Sequence, residues 1–361
     1  MPDVQYTDAL IADLEQDLGL VDRCPRPLES VFFGGGTPSL FSPPQVERLL
    51  QIVHHRFGGA REVTLEANPG TVDPASLAGY REAGVNRLSL GAQSFNKQHL
   101  AALGRIHGPE ETELAVRWAR EAGFSNLNLD LMYGLPGQSR GQAEADIARA
   151  VELAPSHVSY YQLTIEPNTQ FFHQQPTLPD EDCIWEMQVR AQELLRAAGF
   201  GQYEVSAYAQ PGARCRHNLN YWRYGDYLGI GAGAHGKTTD PAAGRIWRHR
   251  KPAHPKEYMS SAAAGGARVL HEEVIAGERP FEFILNALRL RQGFEEDLFE
   301  SRTGLTVGYL AGPAQRAREL GLLVDHDGIW RATERGFRFL NDLQALFLPD
   351  RLQATSVGAK R

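Results

Sequence analysis

Short apolar runs recur along the first half of the chain at a near-constant interval, and that rhythm restricts the fold more than any other feature. They begin at Val31 (Val31-Phe32-Phe33), Val63 (Val63-Thr64-Leu65-Glu66), Leu88 (Leu88-Ser89-Leu90), Leu127 (Leu127-Asn128-Leu129-Asp130-Leu131) and Val158 (Val158-Ser159-Tyr160-Tyr161), spaced by 32, 25, 39 and 31 residues. An eight-unit α/β barrel of about 250 residues spends about 31 residues on each βα unit, so this spacing is what repeated right-handed crossovers require. Helices with legible ends fill the intervals. Asp73-Pro74 opens one that Gly84 closes, Pro109 to Ala122 stops at Gly123, and Asp180 to Ala198 stops at Gly199. The expected fold is α/β, an open or partial parallel (β/α) barrel.

Ahead of the first run, Leu10, Ile11, Leu14 and Leu18 share one stripe of an amphipathic helix over Tyr6 to Leu18, with no strand before it. Beyond the long helix, Tyr203 to Ala207 reads as a further strand and Gly229 to Gly236 as a glycine-rich segment. Between Pro252 and Gly277 alanine and glycine gather without periodicity, which sets the expected division: barrel over 1–251, linker over 252–277, a small helical domain over 278–350 and a tail over 351–361. In that last domain Phe281 to Leu290, Glu295 to Ser301 and Val307 to Leu320 read as helices. Leu322 to Ala332 reads as a hairpin turning at Asp327-Gly328, and Glu334 to Leu348 as a final helix. This winged-helix-like shape suits DNA in other proteins, but its groove-facing helix offers only Arg316 and Arg318, so packing is the better reading.

The net charge of -7 argues against nucleic acid or an anionic membrane as the main partner. No apolar run reaches the ~18 residues of a membrane helix, and a cytoplasmic protein is expected. The three cysteines, Cys24, Cys183 and Cys215, are too scattered for a disulfide framework or a metal site. Cys24-Pro25 offers a thiolate for haem iron, although a solvated loop explains it as well.

Chemistry is expected at the carboxyl ends of the strands. The first run ends on Gly34-Gly35-Gly36-Thr37-Pro38, a turn without side chains that lets a ligand approach the backbone, or else simply a tight βα turn. Glu66 ends the second run, Gln93 follows the third and Asp130 belongs to the fourth. Acids and amides at the tips of apolar strands need partners, because burying them unpaired costs several kcal/mol. A polar, hydroxylated and positively charged ligand supplies those partners; ion pairs of Glu66 with Arg105 or Arg87 are the structural alternative. Two imidazoles stand apart from this set. His217-Asn218-Leu219-Asn220-Tyr221-Trp222 puts one beside aromatic rings and Gly233-Ala234-His235-Gly236 puts one in a glycine loop, so His217 and, behind it, His235 are candidate axial ligands of haem. A hydrogen-bonded core histidine is the plainer account of either.

Taken together, the sequence resembles the HemW haem chaperone group of the radical S-adenosylmethionine (SAM) superfamily, relatives of oxygen-independent coproporphyrinogen III oxidase. The motifs that carry the resemblance begin with Gly34-Gly35-Gly36-Thr37-Pro38-Ser39, Glu66-Ala67-Asn68-Pro69-Gly70-Thr71, Gly91-Ala92-Gln93-Ser94-Phe95 and Gly104-Arg105-Ile106-His107-Gly108. They continue with Asn128 to Pro136, Gln162 to Thr169 and His217 to Trp222. The resemblance implies a radical SAM type of partial barrel with a small C-terminal helical domain. It also implies a SAM site in which Gly35, Gly36 and Thr37 hold the methionine end, Glu66 and Asp130 face polar groups, and Gln93 and Arg105 contact the methionine and ribose region. Its implied cargo is haem, delivered to respiratory haem proteins.

The departure lies at the front. Members of the group begin with a strand and a Cys-x-x-x-Cys-x-x-Cys loop for a [4Fe–4S] cluster, and no such spacing occurs among these 361 residues. The expectation is a gene model that starts late or a cluster-free variant, with no metal ligands here and an exposed sheet edge at the strand of Val31. The rival reading is an enzyme, a radical SAM coproporphyrinogen III oxidase encoded by a longer product. A Schiff-base aldolase is disfavoured because no lysine stands at a strand end.

Overall fold

The computed structural model describes residues 3–21, 26–167 and 169–349. Cys24, Asn168 and the tail over 351–361 lie outside them. The chain forms two compact units, Leu28–Arg216 and Met1–Pro27 with His217–Arg361. Among the described residues no helix is long and apolar enough to cross a membrane.

The Leu28–Arg216 unit is built on a seven-stranded sheet: β1 (Ser30–Phe33), β2 (Glu62–Ala67), β3 (Arg87–Gln93), β4 (Asn126–Tyr133), β5 (His157–Gln162), β6 (Gly201–Gln202) and β7 (Ala207–Ala209), in the order β1-β2-β3-β4-β5-β7-β6. The first five pair in parallel and in sequence, with Val31 opposite Val63 and Leu129 opposite Val158. The expected α/β sheet of consecutive crossovers is present, and β1 is its edge strand among the described residues. β7 runs antiparallel to β5 and to β6. The strand expected over Tyr203 to Ala207 is instead mostly the bend between β6 and β7, closed by the Tyr203 N–H donating to the Ala207 carbonyl at 3.1 Å.

Alternation explains how this sheet serves two purposes. Leu65, Leu88, Leu90, Leu129, Leu131 and Val158 point one way and pack with Leu77, Ile147 and Leu195 of the flanking helices in one apolar core. The intervening residues, Thr64, Glu66, Arg87, Ser89, Asn128, Asp130, His157 and Ser159, take the other face. The helices start where their caps demand. Asp73 and Ser76 form a capping box at Pro74–Glu82, Ser139 and Gln142 another at Arg140–Glu152, and Asp180 accepts from the Cys183 N–H at Glu181–Ala197.

In the other unit, β8 (His235–Asp240), β9 (Arg245–Arg250) and β10 (Leu270–Glu273) form an antiparallel sheet in the order β10-β9-β8. The segment expected to be a linker is structured: it contributes β10 and the helix Pro255–Ala263. Its alanines are the small residues of a packed helix, not punctuation. Tyr258 Oη donates to Asp13 Oδ2 at 2.9 Å and Gln16 Nε2 donates to the Ala262 carbonyl at 3.0 Å, which fastens this helix to Asp3–Leu18. The opening helix, expected with the barrel, therefore belongs to this unit.

Three further strands, β11 (Phe294–Glu295), β12 (Leu323–His326) and β13 (Ile329–Ala332), form the wing, in the order β11-β13-β12. The hairpin turns at Asp327-Gly328 as expected, both with φ positive (52° and 75°), the conformation that a tight hairpin selects. The final helix divides into Glu334–Arg338 and Leu340–Ala345 at Phe339, whose φ of -106° and ψ of 47° leave the helical region. The helix expected over Val307 to Leu320 is a 3-10 turn, Val307–Leu310, followed by Ala311–Glu319.

Candidate functional site

The residues singled out at the strand ends converge on one region of the Leu28–Arg216 unit. After β1 the chain passes through Gly35 (φ 80°) and Gly36 (φ 64°), left-handed conformations that favour glycine, and a Cβ at either position would meet nothing within 4 Å. The turn is open on the side a ligand would use. Its backbone is tied to the next strand tip by the Gly35 N–H, which donates to Glu66 Oε2 at 3.2 Å. Thr37 leads into the turn Pro38–Leu40, held by Tyr80 Oη, which donates to the carbonyls of Ser39 (3.0 Å) and Phe41 (2.6 Å).

Glu66 and Asp130 act on one another. Burial pushes the Glu66 carboxyl above the usual carboxylate range, the Gly35 N–H opposes this, and the negative charge of Asp130 adds to the rise. Burial also raises Asp130, against hydrogen bonds from Asn128, Ser89 and Ser159 and the charge of Arg87. The ion pairs of Glu66 with Arg105 or Arg87, offered by the sequence as a structural alternative, are not formed among the described residues, and neither arginine acts on the Glu66 carboxyl. Gln93 stands in a bulge after β3 with φ at 58°, buried, and its Oε1 has no hydrogen-bond partner. Glu66 therefore binds the open glycine turn directly, Asp130 is near enough to act on it by charge, and Gln93 at the next strand end keeps an orphaned amide oxygen, with no cation among the described residues to balance the two carboxylates.

A chain of hydrogen bonds fixes how Asp130 is presented. Asn128 Nδ2 donates to Asp130 Oδ1 (2.8 Å) and to Ser89 Oγ (2.7 Å), and Ser89 Oγ donates to Asp130 Oδ2 (2.9 Å). The Asn128 oxygen is thus the atom facing His157 Nδ1, at 2.6 Å. It can only accept, so Nδ1 carries the proton and His157 Nε2 accepts from Tyr203 Oη at 2.9 Å. Burial holds His157 well below the usual imidazole range, which keeps it neutral. Donors run in one direction, from tyrosine through imidazole and amide to the carboxylate. The sequence reading missed Ser89, Asn128, His157 and Tyr203, although Asn128-Leu129-Asp130 and His157-Val158-Ser159 carry the period-two signal that puts polar residues on one face.

Arg105 is exposed and forms no ion pair among the described residues; its charge reaches His107, which is buried beside Gly70. In the other unit His217 is half-buried on the helix Arg216–Trp222, edge-on to Tyr221 with ring centroids 4.8 Å apart. His235 is exposed at the start of β8, opposite Arg250.

The ammonium, sulfonium and ribose hydroxyls of SAM match what the strand tips lack, so the residues present fit that group. They do not fit a [4Fe–4S] cluster. Cys183 lies on a helix N-terminus, Cys215 is buried with its thiol 3.5 Å from Glu62 Oε1, Cys24 is outside the described residues, and no group of three or more His, Cys, Asp or Glu among the described residues is arranged to hold a metal.

Comparison with known proteins gives this geometry a lineage. The Radical SAM superfamily profile matches residues 5–150 and the HemN C-terminal domain profile residues 276–339. The heme chaperone HemW of Escherichia coli is 45% identical over 97% of this chain and 91% of its own length, and that of Haemophilus influenzae is also 45% identical with the same coverage. The mitochondrial radical S-adenosyl methionine domain-containing protein 1 of Bos taurus is 37% identical over 91% of this chain and 77% of its own. Among solved structures, coproporphyrinogen III oxidase (HemN) from Escherichia coli superposes with a TM-score of 0.76, covering 96% of this chain and 83% of that one at 22% identity, which bears out the expected fold. With two profile matches and near-complete coverage by its relatives, this chain belongs to the HemW family of haem chaperones within the radical SAM superfamily.

Proposed function

We propose that this protein binds haem and delivers it to haem proteins, respiratory haem enzymes among them, in the cytoplasm, and that SAM occupies the strand-tip region as a regulatory ligand. The observation that carries the reading is the near-complete match to heme chaperones named HemW, with the His217 to Trp222 segment on a helix of its own. For SAM, the support is the donor-poor rim. The open turn of Gly35, Gly36 and Thr37 would receive the methionine end, Glu66 and Asp130 its ammonium and the ribose hydroxyls, and Gln93 Oε1 a further donor. Arg105, exposed and outside the hydrogen-bonded set, would contact the ribose region. SAM bound there supplies a cationic sulfonium, whose charge offsets the two carboxylates. Because no iron chelates the methionine group among these residues, the affinity for SAM is expected to be weaker than micromolar, which calorimetry checks.

Haem binding is tested by titrating the purified chain with ferric haem. A saturable Soret band that weakens in His217→Ala is the expected result. A band that rises linearly without saturation overturns the reading.

A further inference from the structure

The β8–β10 sheet carries an arrangement of rings that the strand-tip site and the His217 helix leave unused. His271 on β10 stands directly opposite His249 on β9, and their Nδ1 atoms are 3.1 Å apart. The His271 ring lies flat on the indole of Trp247, with centroids 4.2 Å apart and planes 8° from parallel, and within 5.0 Å of the His249 ring. His249 is buried, with Nε2 2.8 Å from Thr238 Oγ1 on β8. His271 is exposed, and its Nε2 forms no hydrogen bond among the described residues.

Two facing ring nitrogens share one proton. When Thr238 Oγ1 accepts from His249 Nε2–H, His249 Nδ1 is an acceptor and His271 must donate from its own Nδ1. The His271 lone pair then sits at Nε2, on the exposed edge of a ring that Trp247 keeps from rotating. A histidine whose back nitrogen donates to a fixed partner and whose ring is held in place is prepared to bind a metal.

We infer that His271 is an axial iron ligand for haem, with His249 and Thr238 as positioning residues that hold it in the ligating tautomer. This rests on the haem-carrier reading above. Ligation donates the Nε2 lone pair to the iron and moves no electron or proton. The stacked indole of Trp247 fixes the orientation of the ligating ring. One bond from an exposed edge strand also suits a cargo that must leave again.

The experiment is a ferric haem titration of the full chain followed by Soret absorbance and electron paramagnetic resonance, with thermal melting as the control for folding. The variants are His271→Ala in the wild-type and His217→Ala backgrounds, and Thr238→Val. His271→Ala is expected to lower haem affinity by more than about tenfold in both backgrounds without changing the melt, and added imidazole to restore the wild-type ferric spectrum. Thr238→Val, which keeps the ligand but removes the acceptor for His249, is expected to cost about tenfold. If the wild-type band saturates and His271→Ala matches its parent in affinity and spectrum, the inference is overturned alone. If the wild type gives no saturable band, the carrier reading falls and the inference falls with it.

Discussion

Two carboxylate sites in this molecule, Asp226 and the Glu66–Asp130 pair, are built from the same residue type and left in opposite states. Asp226 accepts from Lys237 Nζ at 2.8 Å and from the Thr239 N–H and hydroxyl at 2.7 and 2.8 Å, and it also contacts Arg26. Burial pushes it up, but Lys237, Thr239 and Arg26 more than reverse this and hold it below the usual carboxylate range. Glu66 and Asp130 form no ion pair among the described residues; burial pushes both up, and the charge of Asp130 adds to the rise of Glu66. A carboxylate satisfied by its own chain is architecture. A pair that is hydrogen-bonded but has no cation to balance it, beside an open backbone turn, is where a cationic ligand completes the structure.

The largest effect that bears on this contrast is expected at the satisfied site. Lys237→Met removes the most buried of the partners of Asp226, leaving Thr239 and Arg26, and should cost about 1–3 kcal/mol in chemical denaturation. A loss under about 1 kcal/mol would mean that Asp226 is no more settled than Asp130.

The pH dependence of stability separates the two sites by sign. Burial raises Asp146, which accepts from Ser94 Oγ and the Phe95 N–H just after Gln93, to about 6. A raised acid binds more protons folded than unfolded, so the strand-tip unit should gain stability as pH falls from 7 to 5, through Asp146, Glu66 and Asp130 together, by on the order of 1–3 kcal/mol. Asp226, held low, loses its contribution only below the ordinary carboxylate range. Denaturation curves at pH 7 and 5 should therefore rise, and Asp146→Asn should flatten the rise.

Asp130→Asn is expected to leave stability within about 1 kcal/mol, because it removes a costly charge along with its hydrogen bonds, while lowering SAM binding. His157→Phe should act in the same direction by cutting the donor chain to Asn128. If either variant lost stability and kept SAM affinity, the strand-tip set would be structural. The smallest effect is at the turn: Gly35→Ala costs about 1 kcal/mol of backbone strain, since φ is 80° while the space for a methyl group is open.

How much of this was legible beforehand depends on the range of the signal. The β1–β5 order, the glycine turn and the position of Gly35, Glu66, Gln93 and Asp130 at or next to the ends of neighbouring strands were readable because strand spacing and strand ends are local features. Tertiary pairing was not. Nothing local tells that Asp3–Leu18 packs with Pro255–Ala263, because that choice depends on Asp13 and Asp17 meeting Lys251 more than 230 positions away, at 2.7 Å in the case of Asp17. The His249–His271 pair was hidden for the same reason, since β10 lay in a stretch whose alanines and glycines read as a linker. The Asp130 network is legible in principle from the polar–apolar alternation within β4 and β5, which puts Asn128, Asp130, His157 and Ser159 on one face.

Haem transfer tests the central claim most directly. The haem-loaded chain is mixed with an excess of a b-type apocytochrome, and appearance of the holocytochrome spectrum is followed against free haem at equal concentration. The account predicts transfer that requires the loaded chain and is lost in the His217→Ala, His271→Ala double variant. Transfer no different from free haem, or undiminished in the double variant, would contradict it.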